Sequence, residues 1–195
     1  MVMNKRVLVV VLLSLATVCV SAQKLSGDIK PLKGQKEVNV VIDFSGTTVN
    51  GSAEEKYIEN ETKAKNDEEK ATWLNDWNEN LRTSAYSMLT NDLNKAVVDN
   101  WFAVGNYPNA EYTINVKVLN ITTGYFAGPM GKPSVLKVMV TFVKTGDTTP
   151  IATVEYKNSS SGISYTIPVL VTRIGVSFGK LGDQLADLIN KQLKK

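Results

Sequence analysis

The chain has 195 residues, 22 Lys and Arg against 19 Asp and Glu, a formal net charge of +3, no histidine and one cysteine. Without histidine, and with Cys19 expected to leave with a leader, the mature chain lacks imidazole acid–base groups, thiolate nucleophiles, disulfides and Cys/His zinc sites. A nearly neutral chain with interspersed signs carries no electrostatic footprint for nucleic acid.

The N-terminus reads as an export signal. Lys5 and Arg6 precede an apolar run from Val7 to Val20, and Val20-Ser21-Ala22 supplies small residues for cleavage before Gln23. The run is shorter than the ~20 residues a bilayer span requires. A signal peptide over residues 1–22 is therefore expected, which takes Cys19 with it and leaves no membrane span. Thr17-Val18 ahead of Cys19 are not the small residues that precede a lipidated cysteine. The mature protein is expected to be exported, periplasmic or secreted, and held together by its core alone.

Residues 23–36 are polar and aperiodic, which predicts a flexible lead-in to one domain over 37–195. Val38, Val40, Ile42 and Phe44 alternate with Asn39, Val41 and Asp43, the period of a strand with one buried face. Residues 53–70 are dense in Glu, Lys and Asn and predict a solvated helix or a mobile charged insertion. Trp73, Trp77, Leu81, Ala85, Met88, Leu89, Leu93, Ala96 and Val97 then recur at three- and four-residue steps, a helix long enough to cover a sheet. Trp73 and Trp77 lie one turn apart, so they share a face as core side chains or as a stacking platform for a ligand. Trp101, Phe102 and Tyr107 follow the helix end, and Pro108 closes it.

Three further strands are marked by Tyr112–Val118, Leu136–Phe142 and Ala152–Tyr156, the last two joined by a short turn at Gly146-Asp147. Their alternation predicts one covered sheet face and one partly wet face. Ile163 to Val171 is apolar and contains Pro168, which suits an edge strand or a buried connector. Ile174, Phe178, Leu181, Leu185, Leu188, Ile189 and Leu193 predict a C-terminal helix. Gly175, Gly179 and Gly182 within it imply close packing that offsets their poor helix propensity. A phosphate loop at Gly175–Lys180 is rejected: the spacing is one residue short and Leu181 stands where Ser or Thr would hold magnesium.

Carboxylates are the remaining acid–base groups, and Asp43 with Glu155 could meet across the sheet. Four Asn-x-Ser/Thr sequons occur, at Asn50, Asn60, Asn120 and Asn158. The stretch Asn120 to Val135, NITTGYFAGPMGKPSV, is longer than the two to five residues a tight hairpin needs. Gly124, Gly128, Gly131, Pro129 and Pro133 reverse the chain, leaving Tyr125, Phe126 and Met130 as surplus apolar side chains. The expectation is that these three fold back over one end of the core, since exposed apolar clusters are disfavoured. The alternative is a contact patch.

The stretches VSAQ, VNVVIDFSGTTVNG, EEKYIENETKAKND, WLNDWNENLR and RIGVSFGKLGDQLADLINKQLKK carry a resemblance. The chain resembles small periplasmic α+β domains of the curli-secretion-lipoprotein-like and TolB N-terminal-like kinds, and more closely a group of uncharacterised exported Bacteroidetes proteins. The resemblance implies an envelope location and carries over no catalytic residue. It also implies O-glycosylation where Asp is followed by Ser or Thr and then Thr or an apolar residue, which Asp147-Thr148-Thr149 satisfies at Thr148.

Together these readings predict an α+β fold: a single two-layer domain in β-α-β-β-β-α order. A mainly antiparallel four- to five-stranded sheet carries one long and one C-terminal helix on one face. The expected function is that of a non-catalytic exported envelope domain, binding an envelope protein or a second copy through the open sheet face. No cofactor, metal or catalytic residue is assigned. A glycan- or lipid-binding protein using Tyr125, Phe126 and Met130 is the alternative, and a carboxylate-dependent hydrolase the third reading.

Overall fold

Four period-two stretches become the long strands of one mixed sheet in the computed structural model, which describes residues 24–194. The expected signal peptide, 1–22, lies outside the described residues. The strands are β1 (Ser26–Gly27), β2 (Glu37–Asp43), β3 (Thr48–Val49), β4 (Ser52–Ala53), β5 (Ala103–Gly105), β6 (Tyr112–Thr122), β7 (Val135–Lys144) and β8 (Pro150–Ser159). The α-helices are α1 (Glu54–Thr62), α2 (Asp67–Asn75), α3 (Leu81–Val97) and α4 (Leu170–Leu193). The sheet runs β1-β8-β7-β6-β2-β5, with β3 beside β6 and β4 beside β3. β6, β7 and β8 form the expected antiparallel meander. β2 is parallel to β6, because α1 to α3 carry the chain back along the sheet before β6 begins.

The fold is α+β as expected, with eight strands in place of four or five. The additional strands are two or three residues long, too short to show a period. β3 continues the line of β2 along β6. Between them the chain makes a turn at Ser45-Gly46, with Gly46 at φ 68°. Asn50 and Gly51 have φ of 50° and 80° and turn β3 into β4, the chemistry of a tight Asn-Gly hairpin.

Alternate residues of β2, β6, β7 and β8 face the helices: Val38, Val40, Ile114, Val116, Val118, Leu136, Val138, Val140, Phe142, Ala152, Val154 and Tyr156 are all buried, and a register shift after Val118 brings Ile121 to the same face. α3 answers with Leu81, Ala85, Leu89, Leu93 and Val97 at strict four-residue steps, all buried, while Ala96 is exposed. α4 contributes Ile174, Phe178, Leu181, Leu185 and Ile189. The glycine stripe of α4 lies against α3: a Cβ on Gly182 would stand 2.5 Å from the Leu89 carbonyl oxygen, and one on Gly179 2.4 Å from an Asp92 carboxylate oxygen. Close helix–helix approach is therefore what the glycines permit.

Two expectations are corrected and one is narrowed. The lead-in is not loose: β1 pairs with β8, and Ile29 and Leu32 are wholly buried in the core. Gly27, at φ 95°, lets the backbone pass so close to Ile151 that no side chain would fit. Of the two forms expected for the charged stretch 53–70, a solvated helix or a mobile insertion, the helix is present over Glu54–Thr62 (α1) and again from Asp67 (α2), with Tyr57 buried beneath it. α2 begins in a capping box, Asn66 accepting from Glu69 N at 2.9 Å and donating its own N–H to Glu69 at 3.2 Å. Finally, Ile163–Val171 is neither an edge strand nor a buried connector, since only Ser164 of it is buried: a 3-10 turn, Ser164–Thr166, leads into α4, which starts at Leu170. The long helix also starts earlier than its apolar stripe, and a π-helical turn at Asp76–Asn80 joins α2 to α3.

Candidate functional site

The loop between β6 and β7 continues their hairpin. Tyr125 and Lys132 exchange two backbone hydrogen bonds of 2.9 Å, and Met130 N and Gly131 N close the tip onto Ala127 O and Gly128 O. Gly124, at φ 62°, is required here, since a Cβ would lie 2.4 Å from the Lys132 carbonyl oxygen. Tyr125, Phe126 and Met130 do not fold back over the core: they are 47%, 52% and 78% exposed. The hairpin closes on its own backbone and packs on the neighbouring connector, which turns its tip side chains outward.

Several polar residues unassigned by sequence reasoning hold this loop in place. Asn50 reaches across from the β3–β4 turn, accepting from Thr123 N at 3.0 Å and donating to Thr123 Oγ1 at 3.0 Å. Arg173, in the first turn of α4, is buried, and its Nε donates to Thr123 O at 3.0 Å. Its Nη1 donates to Ile167 O at 2.7 Å and Pro168 O at 3.2 Å. Burial depresses the Arg173 guanidinium below its ordinary pKa. Burial, with Glu61 adding to it, pushes the Tyr57 phenol up to about 12. Ser134 N donates to Ser164 Oγ at 2.9 Å, and Ser160 and Ser177 hydroxyls donate to Ser134 O at 2.6 and 3.1 Å. The apolar signal in sequence pointed to the loop, but nothing local marked Asn50, Arg173 or these serines as its supports. Beside the hairpin, Asn50, Thr122, Thr123, Tyr125, Lys132 and Val135 line an open groove of about 350 Å³.

Trp73 and Trp77 stack 5.5 Å apart at 6°, and Tyr57 packs 5.1 Å from Trp77. Trp77 is buried and donates its indole N–H to Glu54 at 2.7 Å, the same oxygen that Arg82 engages at 2.6 Å. Trp77 is thus a core residue. Trp73, half-buried, has one side toward a small cavity of about 60 Å³ shared with Asp76 and Val169–Val171.

On the sheet face away from the helices, Asp43, Lys117, Met139 and Glu155 form one cross-strand row, and Val41, Asn115, Thr141 and Thr153 the next. All are half-buried or exposed. Asp43 and Glu155 share a row but stand three strands apart, roughly 14 Å at the usual strand spacing. Each is engaged by a lysine, Lys117 on Asp43 at 2.6 Å and Lys137 on Glu155 at 3.4 Å. The Lys117 hydrogen bond, helped by Ser45, holds the Asp43 carboxyl down at about 2. The two carboxylates therefore do not come together. Thr148 lies at the other end of β7 from the Tyr125 hairpin, in a wholly exposed turn with Asp147 and Thr149.

Among the described residues, no helix is long and apolar enough to cross a membrane, and no group of three or more acidic, His or Cys side chains clusters as a metal site. No family model matches the chain. No curated protein matches it either. Among solved structures, it is similar to the PelC dodecamer from Paraburkholderia phytofirmans, with TM-score 0.40 and 11% identity over 83% of this chain and 96% of that one. A single-substitution variant of that dodecamer gives TM-score 0.40 and 13% identity over 84% and 95%.

Proposed function

We propose that this chain is a non-catalytic exported domain of the cell envelope that binds another macromolecule, an envelope protein or a second copy of itself, through the uncovered sheet face. The observation that carries this reading is the face itself. Val41 is 43% exposed on it. Half-buried Leu119 and Met139 lie on the neighbouring strands, and the ion pairs of Asp43 with Lys117 and Glu155 with Lys137 flank them. Apolar side chains left on a sheet face that no helix covers suit a contact surface. The composition supports a non-catalytic role, since nucleophile–base pairs built on His or Cys have no members in the mature chain.

The test is retention of a partner from the native envelope at physiological salt by wild-type protein and by a Val41→Glu, Met139→Glu variant. A partner held by the wild type and released by the variant supports the reading. No retained partner, or equal retention by both, argues against it.

A second reading, a binder of small glycans or lipids, is favoured by the groove beside Tyr125, whose volume of about 350 Å³ falls within the range of ligand pockets. A bound ligand raises the melting temperature by mass action, so a glycan and lipid panel without any upward shift would remove this reading.

A further inference from the structure

We infer that the loop end bearing Tyr125, Phe126, Met130 and Ile163 docks onto an anionic lipid surface, with these side chains at the boundary between headgroups and acyl chains. This inference is independent of the sheet face. Seven large apolar side chains are strongly exposed among the described residues, and five of them, Tyr125, Phe126, Met130, Ile163 and Val169, lie on the β6–β7 hairpin or the connector beside it. The two loops are joined as one body by Ser134 with Ser164, by Ser160 with Ser134, and by Arg173 bridging Thr123 to Ile167. An exposed apolar concentration on a fixed scaffold marks a contact surface.

Three features select a lipid surface over a protein groove. The hairpin tip is convex: every residue from Tyr125 to Met130 is exposed, and the space around Gly128 is open. The charge is one-sided: no Asp or Glu occurs between Glu111 and Asp147 or between Glu155 and Asp183, while Lys132 flanks the tip and Lys157 the connector. Lysines beside an apolar surface attract anionic headgroups, and an aromatic pair suits the interfacial layer. The tip also satisfies much of its own backbone, through the paired Tyr125 and Lys132, the closures at Met130 and Gly131, and Pro129 and Pro133, which have no N–H to bury. Internal pairing is what entry into a poorly hydrated layer demands. Carboxylates begin on the neighbouring helices, with Glu61 near Tyr57 and Asp76 beside Val169, and they limit the apolar end on that flank.

The test uses the protein as its native host produces it, with a single reporter cysteine at Met130→Cys or at Thr148→Cys, and with Cys19→Ser so that a retained leader brings no second thiol. The cysteine carries an environment-sensitive fluorophore. Vesicles of phosphatidylglycerol are expected to blue-shift the label at 130 and to leave the label at 148 unchanged, with a weaker response to phosphatidylcholine. Adding Phe126→Ser and Ile163→Ser, both at exposed positions, lowers vesicle affinity by about tenfold or more with an unchanged circular-dichroism spectrum. No response at 130, or an equal response at 130 and 148, overturns the inference. So does a response at 130 that needs no lipid and grows with protein concentration, which assigns the patch to a second copy. A response that requires an added envelope protein likewise overturns it.

Discussion

Replacing Gly182 with alanine tests the close α3–α4 contact directly. The new Cβ would stand 2.5 Å from Leu89 O and 3.0 Å from Leu93 N, both backbone atoms that cannot rotate away. Ordinary contact begins near 3.4 Å, so the two helices must part by the difference, about 0.9 Å. A gap of that order forfeits a quarter to a half of the dispersion energy along the seam. Overpacking a closed interface costs about 1–3 kcal/mol, and alanine recovers up to about 1 kcal/mol of helix propensity. With the full propensity gain set against the middle of that range, the net expectation is a loss of about 1 kcal/mol, or a fall in Tm of roughly 2–4 °C for a chain of this size. Gly175→Ala is the control. There the nearest atom is the Ser84 hydroxyl, the end of a rotatable side chain, and its next contacts are 3.4 and 3.8 Å away. That variant should stay within about 0.5 kcal/mol of the parent or gain stability. Urea unfolding followed by circular dichroism, with unchanged m-values, reads both. Wild-type or higher stability in Gly182→Ala, or equal losses in both variants, would show that the backbone approach at Gly182 does not limit the seam.

Arg173→Ala should strip the buried carbonyl of Thr123, and the more exposed carbonyls of Ile167 and Pro168, of their donor, at a cost of about 1–3 kcal/mol, and hydrogen exchange in residues 123–134 should accelerate more than in β7; uniform acceleration would contradict the anchoring role. Asp43→Asn removes a carboxylate whose folded pKa is about 2 against an ordinary 3.8. A depressed carboxyl pKa stabilises the fold fully above about pH 4 and loses that contribution as pH falls from 4 to 2. The wild-type advantage, under about 1 kcal/mol at this partly exposed pair, should therefore be constant from pH 5 to 7, shrink as pH falls below 4 and be lost below about pH 2; an advantage undiminished from pH 5 to pH 2 contradicts the assignment. If Thr148 carries a glycan, the intact mass of protein from its native host exceeds the mature polypeptide mass, and Thr148→Ala abolishes the excess; a bare mass in the wild type ends that expectation.

The long strands and helices were legible because their periods are properties of neighbouring residues. Val38 to Ile42 alternate, and Leu81 to Val97 step by four, whatever the rest of the chain does. The glycines of α4 announced a close approach as well, since only packing offsets their propensity cost. Sequence also set limits on chemistry, because the absence of histidine needs no fold to interpret.

What pairs with what was decided by the tertiary structure. β1, β3, β4 and β5 are too short to carry a pattern; β1, β3 and β5 are strands only because a longer neighbour offers unpaired backbone groups, and β4 because the Asn50-Gly51 turn folds it back on β3. Ile29 and Leu32 read as polar lead-in until the chain crosses the end of the core and buries them. The same holds for the 120–135 stretch. Its composition distinguished three surplus apolar residues, but their exposure depends on Arg173, fifty positions away, and on Asn50 across the β3–β4 turn. Local sequence determines periodicity, turn chemistry and available functional groups. Distant contacts determine which apolar side chains end inside and which face outward, because burial is a property of the assembled layers and not of the segment that supplies the residue.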